Sequence, residues 1–276
     1  MTLADVLQMG KRRLSEAGVP EPEWNAWYLF SHCFHINRNR YFLCSEEIAA
    51  EENIKTFENL LVEREKRIPL EYIIHETEFM GLPFQVNEHV LIPRQDTECL
   101  VEEVLKVSEG KDVLDLCTGS GCIGISLAKL GKCKSVTLSD ISGEALAVAE
   151  KNARKNDVAV RLVESDLFRD IRGSFDIIVS NPPYIRSKEI DELMPEVREH
   201  EPRLALDGSE DGLLFYRSII KVINSFLKPN GWLFFEIGWN QGEEVSRMMR
   251  EEGFHAVEVK KDLAGLDRIV QGQYRE

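Results

Sequence analysis

Ser180 to Ile185 read SNPPYI, directly after the apolar run Phe175-Asp-Ile-Ile-Val179. The run has the composition of a buried strand. Two prolines cannot extend its hydrogen-bond ladder, because each lacks an N–H and has a fixed φ. A rigid turn carrying an amide and an aromatic ring therefore caps a core strand. The Asn181 side-chain oxygen and the Pro182 carbonyl are two acceptors on a stiff frame. Such a pair can hold both N–H groups of a planar nitrogen, fix its plane and favour charge building on it. Pro183 stiffens the frame, and Tyr184 can stack on the planar group. This is catalysis by orientation and preorganised electrostatics.

A second constellation lies upstream. Asp112 to Leu116 form a short apolar strand that runs into Cys117-Thr118-Gly119-Ser120-Gly121, and Gly119, Gly121 and Gly124 spell G-x-G-x-x-G. Asp140 follows about twenty residues later, at the end of the next strand. Glycines let a ligand approach the backbone, and the acid suits ribose hydroxyls. A nicotinamide or flavin nucleotide fits this pattern, and so does S-adenosylmethionine. Asp115, before the loop, opposes a pyrophosphate and suits a sulfonium and an ammonium, which tilts the reading towards S-adenosylmethionine. Asp166, after the third strand, is placed for the adenine side. A nicotinamide enzyme would leave the Asn-Pro-Pro-Tyr turn idle.

The elements that must position these groups alternate from about residue 110: strand, helix, strand, helix, strand, strand, helix, strand, helix and two closing strands. That order predicts a doubly wound, mostly parallel α/β sheet, with ligands at the strand C-terminal ends. Residues 1–75 differ. Their apolar residues recur at helical spacing with no strand pattern, which predicts a separate helical bundle. Residues 76–92, with Phe79, Phe84, Val86 and a Gly-Leu-Pro turn, read as a hairpin linker. The domain with the glycine loop then spans 93–276. The helix from Asp211 to Leu227 is expected to stop at Pro229, with a strand from Gly231.

Bulk composition narrows the partners. The 276 residues carry a net charge of −14, so long-range attraction to a phosphate backbone is disfavoured, and stable nucleic-acid binding is not expected. The six cysteines include no C-x-x-C pair and read as free thiols in a reducing cytoplasm. His32-Cys-Phe-His35 sits in an apolar helical run and is not read as a metal site; no metal is expected. No signal peptide and no membrane-length apolar run stands out, so a cytoplasmic protein without a membrane association is expected.

Five strings, in order, carry a resemblance. They are VLIPRQDTECLVE (Val90 to Glu102), NPPYI, HEPRLALDGSEDGLLFYRSII (His200 to Ile220), FEIGWNQGEEV and DLAGLDRIVQGQ. Together they resemble the HemK/PrmC family, glutamine N5-methyltransferases acting on class-1 peptide chain release factors. The resemblance spans nearly the whole chain. It implies a class I S-adenosylmethionine-dependent methyltransferase fold, Rossmann-like, with a seven-stranded mostly parallel sheet and an N-terminal helical docking domain. It implies S-adenosyl-L-methionine as cofactor, S-adenosyl-L-homocysteine as product, and the glutamine of a Gly-Gly-Gln loop as target. One active site per chain needs no partner subunit, so a monomer is expected. A nucleic-acid amino methyltransferase, acting on rRNA guanine or DNA adenine, is the alternative with the same turn.

Carried over residue by residue, the resemblance assigns Asp115, Cys117, Thr118, Gly119, Ser120, Gly121, Asp140, Asp166, Leu167 and Asn181 to the cofactor. It assigns Asn181, Pro182, Pro183 and Tyr184 to the glutamine, with Asn181, Pro182 and Tyr184 as catalytic. Phe84 is expected to cover the pocket, and Arg94 to shape the cofactor side with a share in substrate binding. The chain departs from the family pattern at Cys117, where glycine is usual, and at Gln95-Asp96, where Pro-Glu is usual. A cysteine at positive φ would be strained.

Overall fold

The computed structural model describes residues 1–275 as two compact units, Met1–His75 with Met194–His200, and Glu76–Leu193 with Glu201 onwards. The first unit contains α1 (Leu3–Glu16), α2 (Pro22–Phe34), α3 (Arg38–Cys44), α4 (Glu51–Glu65) and α5 (Leu70–Ile74). Thr2 caps α1 through a reciprocal capping box with Asp5, which satisfies two orphan N–H groups. Pro22 begins α2, where its missing N–H costs nothing. Leu7, Leu14, Leu29, Phe30, Phe57 and Leu61 form the core of this unit.

A short helix, Pro195–His200, clusters with this unit although it comes late in the chain. Its Glu196 accepts from Arg64 at 2.8 Å and from Arg67 at 2.6 Å, and the buried Arg64 also donates to Asn25. Burial alone would raise the Glu196 pKa, but Arg67 and Arg64 outweigh it and hold the carboxyl at about 2.

The second unit opens with a hairpin, β1 (Glu76–Phe79) and β2 (Leu82–Gln85), followed by α6 (Gln95–Leu105). Then come β3 (Asp112–Leu116), α7 (Cys122–Leu130), β4 (Ser135–Asp140), α8 (Gly143–Lys155), β5 (Arg161–Glu164) and β6 (Phe175–Ser180). The Pro195–His200 helix is α9. After it come α10 (Leu214–Val222), β7 (Leu227–Glu236), α11 (Gly242–Glu251), β8 (Phe254–Lys261) and β9 (Asp267–Tyr274). The seven long-range strands make one sheet in the order β5-β4-β3-β6-β7-β9-β8. The β5 to β7 pairings are all parallel; β9 alone runs against its neighbours.

This is the expected seven-stranded, mostly parallel sheet. One apolar cluster, including Val113, Ile177 and Phe234, covers one face, and a second, including Leu114, Ile178 and Phe235, covers the other. The alternation along β3, β6 and β7 sorts those neighbours to opposite faces. The strand order reverses at β3, where β4 lies on one side and β6 on the other, and such a switch point opens a crevice at the strand C-terminal ends.

Three local expectations change. The element order expected from sequence starts near residue 110 and has no helix at Gln95–Leu105, where α6 lies. α10 ends at Val222, before Pro229, and β7 already begins at Leu227. The β6–β7 register shifts between Phe175 and Ile177, and this irregularity accommodates Pro229 and Asn230 without ladder N–H groups. Among the described residues no helix is long and apolar enough to cross a membrane.

Candidate active site

A cavity of about 360 Å³ lies at the C-terminal ends of β3, β4 and β6. Its wall includes Cys117, Thr118, Gly119, Ser120, Asp140, Asp166, Leu167, Asn181, Pro183 and Arg94. The glycine loop and the Asn-Pro-Pro-Tyr turn thus contribute to one cavity.

The glycine side is built on dihedral freedom and two carboxylates. Gly119 has φ +55° and Gly121 φ +82°. A Cβ added at Gly119 would meet nothing within 4 Å, so that backbone is open to a ligand. A Cβ at Gly121 would fall 2.7 Å from Ile125 Cδ1, and one at Gly124 2.2 Å from Leu138 Cδ2. These two glycines serve helix packing. Cys117 sits at φ +63°, the conformation that glycine tolerates best.

Asp115 does not line the cavity, contrary to its expected contact with the cofactor. It is wholly buried beneath the loop, where Oδ2 accepts from Thr118 Oγ1 at 2.6 Å and from the Gly124 N–H at 2.9 Å. Burial outweighs these bonds and raises its pKa to about 7. Asp140 does line the cavity. Its Oδ2 accepts from Gly119 N–H at 2.8 Å and its Oδ1 from Ser142 N–H at 3.0 Å. One acid therefore fixes the loop to the end of β4 and faces the cavity as well.

The proline side is built differently. Asn181 and Pro183 line the cavity with Pro182 between them in the turn, whereas Tyr184 stands behind that wall, its hydroxyl turned to Glu236. Among the described residues, the Asn181 side chain and the Pro182 carbonyl have no hydrogen-bond partner within the chain. The Tyr184 hydroxyl lies 3.4 Å from Oε1 of the buried Glu236. Burial pushes Glu236 up to about 7, against the opposing pull of the Thr97 hydroxyl, the Arg268 guanidinium and Tyr184. Burial likewise raises Tyr184, which stays a neutral phenol.

Phe84 does not cover the pocket. It is fully buried and meets Phe79 edge to face, with ring centroids 6.1 Å apart, in the core beneath the hairpin. Arg94 lines the cavity and donates to Glu201 at 2.6 Å. Several further residues were not foreseen. Asn152 donates to the Ser120 carbonyl at 2.9 Å and holds the glycine loop from α8. Glu236, Gln241, Gly208 and Gly212 gather behind Tyr184. Only the donor and acceptor capacity of their amides marks Asn152 and Gln241 in the sequence, and nothing local says what they reach.

The wall chemistry fits S-adenosylmethionine better than a dinucleotide. Its acids are Glu88, Asp140 and Asp166; its basic side chains, Arg94 and His89, each lie beside a carboxylate, Glu201 and Glu88. A cationic ligand is favoured there, and a pyrophosphate would meet no uncompensated positive charge. Asp140 would hold the ribose, the Cys117–Gly121 loop the methionine part, and Asp166 with Leu167 the adenine. Among the described residues no cluster of His, Cys, Asp and Glu is arranged to hold a metal ion.

Two family models match the chain: PrmC N-terminal domain over residues 5–74, and Methyltransferase small domain over residues 95–210. A release factor glutamine methyltransferase of Geobacter sulfurreducens is 40% identical over 274 residues, covering 99% of this chain and 96% of the relative. One of Moorella thermoacetica is 40% identical, with both chains covered in full. One of Fusobacterium nucleatum is 41% identical, covering 96% of this chain and 77% of the relative. Among solved structures, a methyltransferase from Pyrococcus furiosus superposes with a TM-score of 0.56 at 17% identity, over 72% of this chain and 91% of its own. A ribosomal protein L11 methylase from Lactobacillus delbrueckii subsp. bulgaricus gives a TM-score of 0.50 at 24% identity, over 66% and 81%. These two structures speak for the fold alone.

Proposed function

The chain belongs to the release factor glutamine methyltransferase family, and on that footing we propose that it methylates N5 of the glutamine in the Gly-Gly-Gln loop of class-1 peptide chain release factors. The enzyme is an S-adenosylmethionine-dependent methyltransferase. The observation that carries the finer reading is Asn181: it lines the same cavity as the glycine loop, and its side chain has no partner among the described residues.

S-adenosylmethionine supplies a methyl group on a positively charged sulfur; the rest falls to the chain's own residues. An amide nitrogen is a poor nucleophile because its lone pair is delocalised into the carbonyl. The Asn181 Oδ1 and the Pro182 carbonyl accept the two N–H hydrogens of the glutamine amide. Holding both fixes the amide plane and favours positive charge on the nitrogen as the new N–C bond forms. Pro182 and Pro183 make the acceptor pair stiff, so little reorganisation is needed. Tyr184 supports the turn from behind. One amide proton leaves to solvent after transfer. Arg94 and Glu201 shape the mouth of the cavity.

A protein substrate also needs a surface beyond the cavity. Residues 1–75 serve as the docking domain in this reading, with residues 76–92 as linker and 93–276 as the transferase domain. The helical unit exposes Phe42, Leu43 and Ile48 in and beyond α3, an apolar surface suited to a protein partner. One cavity formed by one chain suits a monomer.

The test is methyl transfer from labelled S-adenosylmethionine to a purified class-1 release factor, with the modified peptide located by mass spectrometry. A single methyl on the Gly-Gly-Gln glutamine is the expected result. Transfer to rRNA or DNA instead, with the release factor unmodified, would overturn the protein-substrate reading.

A further inference from the structure

The Asn-Pro-Pro-Tyr turn has a mechanical problem that its own sequence cannot solve. Two consecutive prolines remove two backbone donors, so the turn cannot anchor itself by N–H groups. It must be held from outside, through its carbonyls. One buried side chain meets that need. Gln241 donates from Nε2 to the Tyr184 carbonyl at 3.0 Å and to the Gly212 carbonyl at 3.1 Å. Its Oε1 accepts from the Gly238 N–H at 2.9 Å and lies 3.4 Å from the Tyr216 hydroxyl. Both donors and the acceptor of the amide are engaged, and flipping the group would turn the Gly238 N–H against a donor.

The surroundings are shaped around this clasp. A Cβ at Gly212 would fall 2.4 Å from the Tyr184 carbonyl oxygen, and one at Gly208 2.8 Å from Tyr184 Cα. Two glycines thus let the 208–212 loop lie directly on the turn's backbone. Just beyond, Gly208 N–H donates to the Ile185 carbonyl at 2.8 Å and Ile185 N–H to the Leu206 carbonyl at 3.0 Å. The turn, the 208–212 loop and the segment after β7 are three separate pieces of chain. Gln241 is the side chain that bonds to all three.

We propose that Gln241 is a positioning residue for methyl transfer, which fixes the Tyr184 carbonyl and thereby the Asn181–Pro182 acceptor pair. It touches neither substrate nor cofactor. This rests on the proposed function, since it takes the acceptor pair as the group that aims the amide. The side chain's length and its donor-plus-acceptor chemistry are both needed. Glutamate keeps the acceptor but sets an oxygen against two carbonyls. Leucine keeps the volume and loses every bond.

The experiment compares full-length wild type, Gln241→Glu and Gln241→Leu with a class-1 release factor as substrate. It measures kcat, KM for the release factor, the dissociation constant for S-adenosylmethionine, and thermal midpoint. The expected result is a kcat lowered by about 10- to 100-fold in both variants, as a misaimed reacting group would give. The S-adenosylmethionine affinity should stay within about threefold, because the glycine side is untouched. A kcat near wild type in either folded variant would overturn the proposal. So would a kcat that falls only in step with cofactor affinity, which marks general loosening. Glutamate, nearly isosteric, keeps the test open should the leucine variant misfold. Wild type run alongside separates the two readings: no transfer by wild type sinks the proposed function, whereas equal transfer by all three sinks the role of Gln241 alone.

Discussion

The two sides of the cavity solve one problem, holding a polar loop still at a strand end, by opposite means. The glycine loop has freedom in excess and is tied down by acids close to it in sequence. Asp115 grips Thr118 and Gly124, and Asp140 grips Gly119. The proline turn has freedom removed and lacks the donors to tie itself. It is gripped by Gln241, Glu236 and a glycine-bearing loop from far along the chain. Each side also hides one carboxyl, Asp115 and Glu236, and burial raises both to about 7. The difference teaches that a loop which must follow its ligand is held locally, whereas a loop which must aim its ligand is held by the whole domain.

The sharpest way to break that contrast is to remove the aiming group. Asn181→Ala leaves the glycine side and its acids in place. Transfer to the release factor is expected to fall by roughly 10²- to 10³-fold, the scale of losing a preorganised polar contact at the reacting centre. The S-adenosylmethionine affinity, measured by calorimetry, should change by less than about fivefold. Retained transfer would sink the acceptor model. The mirror experiment is Asp140→Ala, on the holding side. Affinity for S-adenosylmethionine should drop by about 10- to 100-fold, as expected for lost hydrogen bonds to a charged group. If instead kcat alone fell at saturating cofactor, the two sides would not divide the labour as described.

The same contrast decides what could be read from sequence. The glycine side was legible because its parts lie within about thirty residues in a fixed order of strand, loop, helix, strand and acid. The proline turn was legible as chemistry but not as mechanics. Gly208, Gly212, Glu236 and Gln241 reach it only through the fold, and a buried glutamine carries no local signal of its partner. Asp115 was read as a cofactor contact because its place at a strand end is right; only the structure shows the loop lying over it. Phe84 was misread for a simpler reason. A hairpin's alternation marks which residues share a face, and does not say which face is the core. α6 did leave a signal, since Leu100, Val101 and Val104 recur at helical spacing and are buried. The stretch 187–205 left none, being short turns of 3₁₀ and α type without a period.

The paired acids give a pH prediction for each side. Glu236 moves from the ordinary 4.5 to about 7 on folding, and Asp115 from 3.8 to about 7, with burial the main cause in both. A carboxyl raised on folding binds its proton more tightly in the folded state. Its contribution to stability is therefore present below the unfolded value and lost as pH rises through about 7. Without cofactor, the wild-type protein should lose up to a few kcal/mol per acid between about pH 5 and pH 8. Asp112, Asp176 and Glu196 are held below their usual values and do not add to that loss, whereas Asp140, also raised by burial, adds to it in wild type and in both variants alike. Glu236→Gln and Asp115→Asn should each flatten the slope of unfolding free energy against pH in urea titrations. A slope unchanged in both variants would mean that neither acid is protonated in the folded state.

The smallest effect tests the glycine side at the one place where it departs from its own rule. Cys117 holds φ +63° in the loop, lines the cavity, and packs partly against the apolar cluster around Leu114. A side chain in this left-handed region costs about 1–2 kcal/mol, which glycine avoids. Cys117→Gly removes that strain but raises the entropy of the unfolded chain by about 0.4–1 kcal/mol and gives up the thiol's packing. The terms nearly cancel, so stability should shift by less than about 1 kcal/mol, read as a few degrees in the thermal midpoint. Chemistry should not change either. Burial, with Asp140 next, drives the thiol pKa far above its normal range, so no thiolate is present to act as a nucleophile or to react with iodoacetamide. Transfer by Cys117→Gly should therefore stay within about twofold of wild type. A tenfold loss would show that the sulfur itself shapes the cofactor side.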